Sequence, residues 1–499
     1  MNINVTIPTP SAKTQEFFAR KHKLYIDGAW TEGVSGERID VVDPGTGNVI
    51  SSATAAVAAD IDKAVAAARK AFESGVWANM PGLERGKLIS KLARRLEELG
   101  DELAEIEAID CGKPLAYAKY VDVGLTANIY HYMAGWAGKA SGETVSLSAP
   151  GEYHAFTQRE PVGVVAAITP WNFPLVLTAY KLAPLLAVGC TCVVKPSELT
   201  PLSTLRFAEI AEEVGFPPGV INVVTGYGSP AGSALVEHEG VDKVAFTGSV
   251  ATGRKIAQAA TGNLKRVTLE LGGKSPMVVF PDADLDKAIP GLASAIFFHQ
   301  GQVCTAGTRL YVHKSIHDRV LEGIAEESKK LKIGHGLEPD TTMGPMISSA
   351  QLQKVMGFLD QGKQEGAEVV TGGERIGSAG FFMQPTILAN TTDSMSVVRE
   401  EIFGPVLCAQ SFSDDELDAI AAKANNTIYG LAASVWTRDI SVAHKMAKRI
   451  KAGSVWINAH NFYDPALPFG GFKQSGWGRE EGSEAIRTFT EVKSVCAVL

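Results

Sequence analysis

The stretch FFHQGQVCTAGTR, Phe297 to Arg309, sets one cysteine, Cys304, among small and polar residues directly after an apolar helical run. Four roles are open to it: packed core thiol, half of a disulfide, metal ligand, or nucleophile. Thr305, Ala306 and Gly307 are small, leave the sulfur within reach of a substrate and leave backbone N–H groups free. A thiolate in such a place is a strong nucleophile once its pKa is lowered. Glu270, in Glu270-Leu271-Gly272-Gly273-Lys274, follows a buried strand and stands beside two glycines. If buried, its pKa rises toward neutrality, which suits a general base; a salt bridge to Lys274 is the structural alternative. Asn172, in Thr169-Pro170-Trp171-Asn172-Phe173-Pro174, closes another strand and can donate its amide N–H to an oxyanion.

Two glycine pairs invite comparison with phosphate loops. Gly226-Tyr-Gly228-Ser-Pro-Ala-Gly232 has one residue too many for G-x-G-x-x-G, and Gly248 to Gly253 is followed by Arg254-Lys255, so it is not a Walker A loop. What survives is physical: Phe246-Thr-Gly248-Ser249 ends a strand and opens a helix, whose N-terminal N–H groups can face a phosphate. Lys195-Pro196-Ser197-Glu198 ends the CTCVV strand. A Lys and a Glu there can bind ribose hydroxyls, and the Glu would repel a 2′-phosphate, favouring NAD over NADP.

Something must bring these residues together. The chain has 499 residues, too many for one hydrophobic core, and two or three domains are expected. Hydrophobic residues make up 45% and charged residues 20%, as in ordinary globular proteins, and the net charge of −8 argues against nucleic acid or anionic membrane partners. The opening MNINVTIPTPSAKTQEFF lacks a signal pattern. The longest apolar run, Leu182 to Val194, spans about 13 residues against the ~20 of a membrane span. Six sparse cysteines and ten scattered histidines suggest reduced thiols, no structural metal and a cytoplasmic setting.

Short alternating strands occupy the first ~55 residues, and helical periodicity then runs from Ala59 to about Gly138. From Pro161 the rhythm changes. VGVVAAIT, CTCVVK, VINVVTG, KVAFTG and RVTLELGG read as buried strands with helices between them, which implies a parallel sheet covered on both faces. A second α/β alternation follows Pro276, with strands at MVVF, RLYVH, AEVVTGG, VLCAQSF, LAASVWT and SVWIN. TVSLSAPGEYHAFTQRE and the tail SVCAVL fit neither unit; as a projecting hairpin and a terminal strand they are expected to pair with another subunit.

Taken together, TPWNFP, KPSE, FTGS, ELGGKSP, GQVCTAGTR, EEIFGPV and PFGGFKQSGWGRE occur in the order and at about the spacing of the NAD(P)-dependent aldehyde dehydrogenase superfamily, which the chain resembles from about Leu24 to Cys496. The resemblance implies an α/β fold. A variant Rossmann cofactor domain (residues 1–138 and 161–272) joins an α/β catalytic domain (273–472) and a small β oligomerisation unit (139–160 and 473–499) that assembles a homotetramer. It implies Cys304 as nucleophile, Glu270 as general base and Asn172 with the Cys304 N–H as oxyanion hole, with Lys181 and Glu480 assisting proton transfer. Thr169, Pro170, Trp171, Lys195, Ser197, Glu198, Gly228, Gly232, Phe246, Gly248, Ser249, Leu271, Gln351, Glu401 and Phe403 would hold NAD. Phe173, Leu177, Tyr180, Phe298, Val303, Thr305, Tyr463 and Phe469 would line an apolar, aromatic substrate tunnel suited to an aromatic or medium aliphatic aldehyde. The HKLYIDG opening and KSVCAV tail resemble bacterial phenylacetaldehyde dehydrogenases in particular.

The implied chemistry follows from the substrate. An aldehyde has no leaving group, so the Cys304 thiohemiacetal must release hydride to an acceptor; the thioester that remains is hydrolysed by water activated at Glu270. Rival readings are a CoA-acylating relative, a non-redox thiol esterase and a non-catalytic scaffold. CoA-acylating relatives generally lack a residue matching Glu270, an esterase would have no use for the KPSE and FTGS loops, and a scaffold would not need Cys304, Glu270 and Asn172 together.

Overall fold

A computed structural model describes residues 8–413 and 416–499; residues 1–7, part of the opening stretch read above for a signal pattern, lie outside it. Its first large sheet is built on five parallel strands, Val164–Ile168, Thr191–Lys195, Ile221–Val223, Lys243–Thr247 and Arg266–Glu270. These are the apolar runs expected from the sequence. They are buried along most of their length, because helices cover both faces of the sheet. Across the sheet the order is Arg266–Glu270, Lys243–Thr247, Val164–Ile168, Thr191–Lys195, Ile221–Val223. Chain order therefore reverses between Val164–Ile168 and Lys243–Thr247. Loops leaving the carboxyl ends of those two strands diverge and open a crevice. One lip is Thr169-Pro170-Trp171 and the other is Gly248-Ser249.

Three further strands form the edges of this sheet: two begin in KLYIDGAW, among the short alternating strands expected in the first ~55 residues, and only Gly476–Trp477 had no strand signal. Leu24–Ile26 and Ala29–Thr31 add antiparallel at one side, and Gly476–Trp477 adds beside Arg266–Glu270 at the other. Gly476–Trp477 belongs to the stretch 473–499, and it places part of that stretch on the first sheet rather than in the projecting unit.

The second sheet has seven strands, in the order Glu368–Thr371, Thr386–Ala389, Val406–Phe412, Arg309–His313, Pro276–Val279, Ala432–Trp436, Ser454–Ile457. All pairings are parallel except that of Glu368–Thr371 with Thr386–Ala389. Thr386–Ala389, preceded by the irregular run to Pro385, is the one strand missing from the sequence reading.

The hairpin and the tail find each other within the chain. Thr490–Val498 pairs antiparallel along Tyr153–Pro161, and Thr144–Val145 adds on the other side. The terminal strand is thus satisfied on one edge by its own protomer, and only its other edge is free. Val492, Val498 and Leu499 stand exposed along it.

One helix matters most for the site. Pro174–Val188 is buried at every position. Pro174 opens it where a missing N–H costs nothing, and Gly189, at φ +99°, closes it in the left-handed region. Leu177, Tyr180 and Lys181 stand three and four residues apart on one face, which looks into the site. Among the described residues no helix is long and apolar enough to cross a membrane.

Candidate active site

The helix Leu285–Phe297 ends in three successive residues with positive φ, His299 (47°), Gln300 (56°) and Gly301 (67°). This turn reverses the chain and presents Cys304. A Cβ on Gly301 would strike the Gly404 carbonyl, so both conformation and space demand glycine there. Cys304 is partly exposed and lines a cavity of about 190 Å³ together with Asn172, Glu270, Leu177, Leu271 and Glu401. All six cysteines are free thiols, and among the described residues no cluster of His, Cys, Asp and Glu could hold a metal. Cys304 forms no disulfide, and its exposure to a cavity separates it from a packed thiol.

The electrostatics of the cavity are those of a site at rest. Burial, then the charges of Glu401 and Glu270, push the Cys304 thiol up to about 12, against the pull of the Cys304 and Thr305 backbone N–H groups. Glu270 is 2% exposed, and neither of its oxygens has a hydrogen-bond partner. Burial and then Glu480 hold its carboxyl well above the usual range, with Lys181 and Arg479 opposing. The Lys274 ammonium is likewise buried without a partner, so the salt bridge that would explain Glu270 structurally is not formed. Lys181 donates to Glu480 and, at 2.6 Å, to Thr247 Oγ1, which joins the two expected helpers behind Glu270. Asn172 Nδ2 donates to the Gln302 carbonyl at 2.9 Å. That bond fixes the amide and leaves its second N–H for the cavity.

A larger cavity of about 670 Å³ occupies the crevice predicted by strand order and shares Pro170, Trp171, Gly248 and Ser249 with the first. Thr169, Lys195, Ser197, Glu198, Gly228, Gly232 and Phe246 all line it, with Gly232 against the Lys195 stem. Lys195 Nζ donates only to the neighbouring Pro196 carbonyl (3.0 Å) and lies 3.9 Å from Glu198 Oε2, so the pair has hydrogen-bonding capacity to spare. Ser249 caps the helix Val250–Ala259 by accepting from Thr252 N at 3.2 Å. Toward the smaller cavity, Trp171 meets Phe403 edge-on with centroids 5.2 Å apart. Gln351 spends its amide on the Phe403 and Ile402 carbonyls (2.8 and 3.2 Å) and so holds the loop that carries Phe403, which has φ +59°. Glu401 accepts from Gly273 N at 2.9 Å, and burial raises it to about 7. A Lys/Glu pair with hydrogen-bonding capacity to spare, a capped helix N-terminus and aromatic walls fit a dinucleotide.

Comparison with known proteins decides the family. The profile of the aldehyde dehydrogenase family matches residues 30–495. The chain belongs to that family. It is 48% identical to DhaS of Bacillus subtilis over 97% of both chains. It is 46% identical to phenylacetaldehyde dehydrogenase of Pseudomonas fluorescens over 95% of each. The NAD+ complex of the Bacillus cereus aldehyde dehydrogenase superposes with a TM-score of 0.96 at 45% identity, covering 100% of both chains.

In this aldehyde dehydrogenase the residues expected to line the tunnel fall into three groups. Leu177 borders Cys304, and Phe173 stacks on Phe298 with centroids 6.2 Å apart. Tyr180, Tyr463 and Phe469 wall an outer cavity of about 190 Å³. Val303 packs into the core of the second sheet, and Thr305 is fully buried with its hydroxyl bonded to Asn461 and Tyr463. Lys354, at the inner cavity, and Trp456 and Phe462, at the outer one, escaped the sequence reading. Only the Trp-x₅-Phe-Tyr clustering in SVWINAHNFYDP hinted at the last two.

Proposed function

We propose that this aldehyde dehydrogenase uses NAD to oxidise an apolar, aromatic aldehyde to its acid, with water as the acyl acceptor. The observation that carries the reading is one cavity wall bearing Cys304, Glu270 and Asn172, opening onto the dinucleotide-sized crevice. Bound NAD supplies the hydride acceptor. Lys195 and Glu198 would hold a ribose, the Val250–Ala259 N-terminus would meet a phosphate, and Glu401 and Phe403 would hold the nicotinamide end. Cys304 attacks the carbonyl, and Asn172 with the Cys304 N–H stabilises the oxyanion; one such donor is worth ~3–4 kcal/mol. Loss of hydride leaves a thioester on Cys304. Glu270 takes a proton from water to release the acid, and Lys181 and Glu480 behind it pass that proton on.

Identity alone does not name the aldehyde, since retinal dehydrogenase 2 of Homo sapiens stands at 44% and the Pseudomonas enzyme at 46%. The aromatic lining does more, because among the described residues that wall the outer cavity none is a Lys or Arg that would hold an anionic substrate. Phenylacetaldehyde is expected to exceed acetaldehyde in kcat/KM, as followed at the NADH absorbance; the reverse ranking rejects the aromatic reading. CoA is expected to be unnecessary in that assay.

The preference for NAD rests on Glu198, whose carboxylate faces the ribose position and would repel a 2′-phosphate. Glu198→Gln is expected to narrow the NAD-over-NADP ratio of kcat/KM by about tenfold or more. An unchanged ratio would remove Glu198 as the cause. We also propose the division into residues 1–138 with 161–272, 273–472, and 139–160 with 473–499, save that Gly476–Trp477 of the last stretch joins the first sheet, a homotetramer formed through the free edge of Thr490–Val498, and a reducing cytoplasmic setting for six free thiols. A monomer in sedimentation would defeat the assembly.

A further inference from the structure

The loop after strand Ser454–Ile457 grips the residue that follows the nucleophile. His460 Nε2 donates to the Thr305 carbonyl at 2.8 Å. The Thr305 and Tyr463 hydroxyls lie 2.5 Å apart, and Asn461 Oδ1 accepts within reach of both, at 2.8 Å from Thr305 Oγ1 and 3.1 Å from the Tyr463 hydroxyl. The tautomer of His460 follows from its partners. A carbonyl only accepts, so Nε2 carries the proton; Nδ1 then accepts from Ser434 Oγ at 3.0 Å. Burial keeps the ring neutral.

The loop is itself braced. Trp456 packs against His460 and Tyr463, with centroids 4.8 and 6.0 Å away, and its indole N–H donates to the Phe462 carbonyl. Asn458 and Asn461 adopt positive φ, which asparagine tolerates better than most residues, and Asn458 exchanges two hydrogen bonds with Thr437 on the neighbouring strand.

With carbonyl and hydroxyl both held, the one free polar group of Thr305 is its backbone N–H, in the peptide that joins it to Cys304, where it favours the thiolate. A fully buried residue bonded in this way has no hydroxyl to offer a substrate. Its remaining effect is on the sulfur. We propose that His460, Asn461 and Tyr463 are positioning residues that clamp Thr305 so that its N–H stays aimed at Cys304, and that this clamp sets how readily the thiol ionises. The proposal rests on the reading of Cys304 as nucleophile. Other groups around the sulfur are Glu270 and Glu401, which oppose ionisation, Tyr180 and Tyr463, which stand near it unionised, and Lys354 on the same cavity wall. None of these donates to the sulfur, which leaves backbone N–H groups to stabilise the thiolate.

The test is iodoacetamide alkylation of the full-length enzyme from neutral to alkaline pH, read by mass spectrometry on the peptide that carries Cys304, so that exposed Cys496 does not interfere. His460→Ala is expected to shift the alkylation profile to higher pH and to slow alkylation at a fixed pH about tenfold. Asn461→Ala and Tyr463→Phe shift it the same way by less, and His460→Gln, whose amide can still donate, restores most of the rate. Should His460→Ala fail to fold, Asn461→Ala and Tyr463→Phe carry the test. Folded variants with an unmoved profile overturn the clamp, even where turnover falls. In the unmodified enzyme, alkylation of Cys304 is expected to abolish NADH formation; activity that survives it sinks the nucleophile assignment instead.

Discussion

Cys304→Ala is expected to lower NADH formation at least ~10⁴-fold while NAD still binds. The reason is stoichiometric. Hydride can leave only from a tetrahedral carbon bearing an alkoxide, and without sulfur nothing in the cavity forms that carbon. Glu270 is too deeply buried and too reluctant to ionise to attack in its place. Asn172 and the backbone N–H groups would still bind a carbonyl, but they stabilise an oxyanion that no longer forms. NAD binding, read by fluorescence titration, should be little changed, because Lys195, Glu198 and the Val250–Ala259 helix line the larger, adjoining cavity, whose wall does not include Cys304. A variant that keeps its dehydrogenase turnover would end the assignment.

Glu270→Gln separates the two halves of the reaction. In the proposed reaction acylation needs Cys304 and Asn172, and release needs a base near the thioester. Loss of such a base costs ~10²–10⁴-fold. Stopped-flow mixing with aldehyde and NAD should therefore show a burst of about one NADH per active site followed by a slow steady state, the mark of an accumulated acyl-enzyme. The pH dependence follows from the direction of the shift. Burial and Glu480 raise the Glu270 pKa, and only the ionised form accepts a proton, so steady-state turnover of the unaltered enzyme rises as pH climbs through that raised value. The Gln variant should lose this limb. Equal loss of burst and steady state would instead give Glu270 a role in acylation, as the acceptor of the Cys304 proton.

Much of this site was legible in the chain itself. The buried strands around Val164–Ile168, Thr191–Lys195 and Lys243–Thr247 declare themselves as apolar runs, and the motifs at their carboxyl ends are local: a cysteine among small residues, a glutamate beside two glycines, a lysine and glutamate three residues apart. A strand end, a helix start and a nucleophile's immediate neighbours are decided within a few residues, so the sequence determined their types and their order.

Tertiary structure decided what each of these groups meets. Nothing local says that Gly476–Trp477 will pair with Arg266–Glu270, that Glu480 will reach Lys181, that Glu401 will accept from Gly273, or that His460 will take hold of Thr305. Each joins residues more than a hundred positions apart. Periodicity tells which face of an element is buried but not which neighbour covers it, and a pKa depends on that neighbour. Lys274 illustrates the difference: four positions from Glu270, it reads as the natural ion-pair partner, yet the strand end turns it away and leaves Glu270 facing Lys181 and Glu480 from other elements.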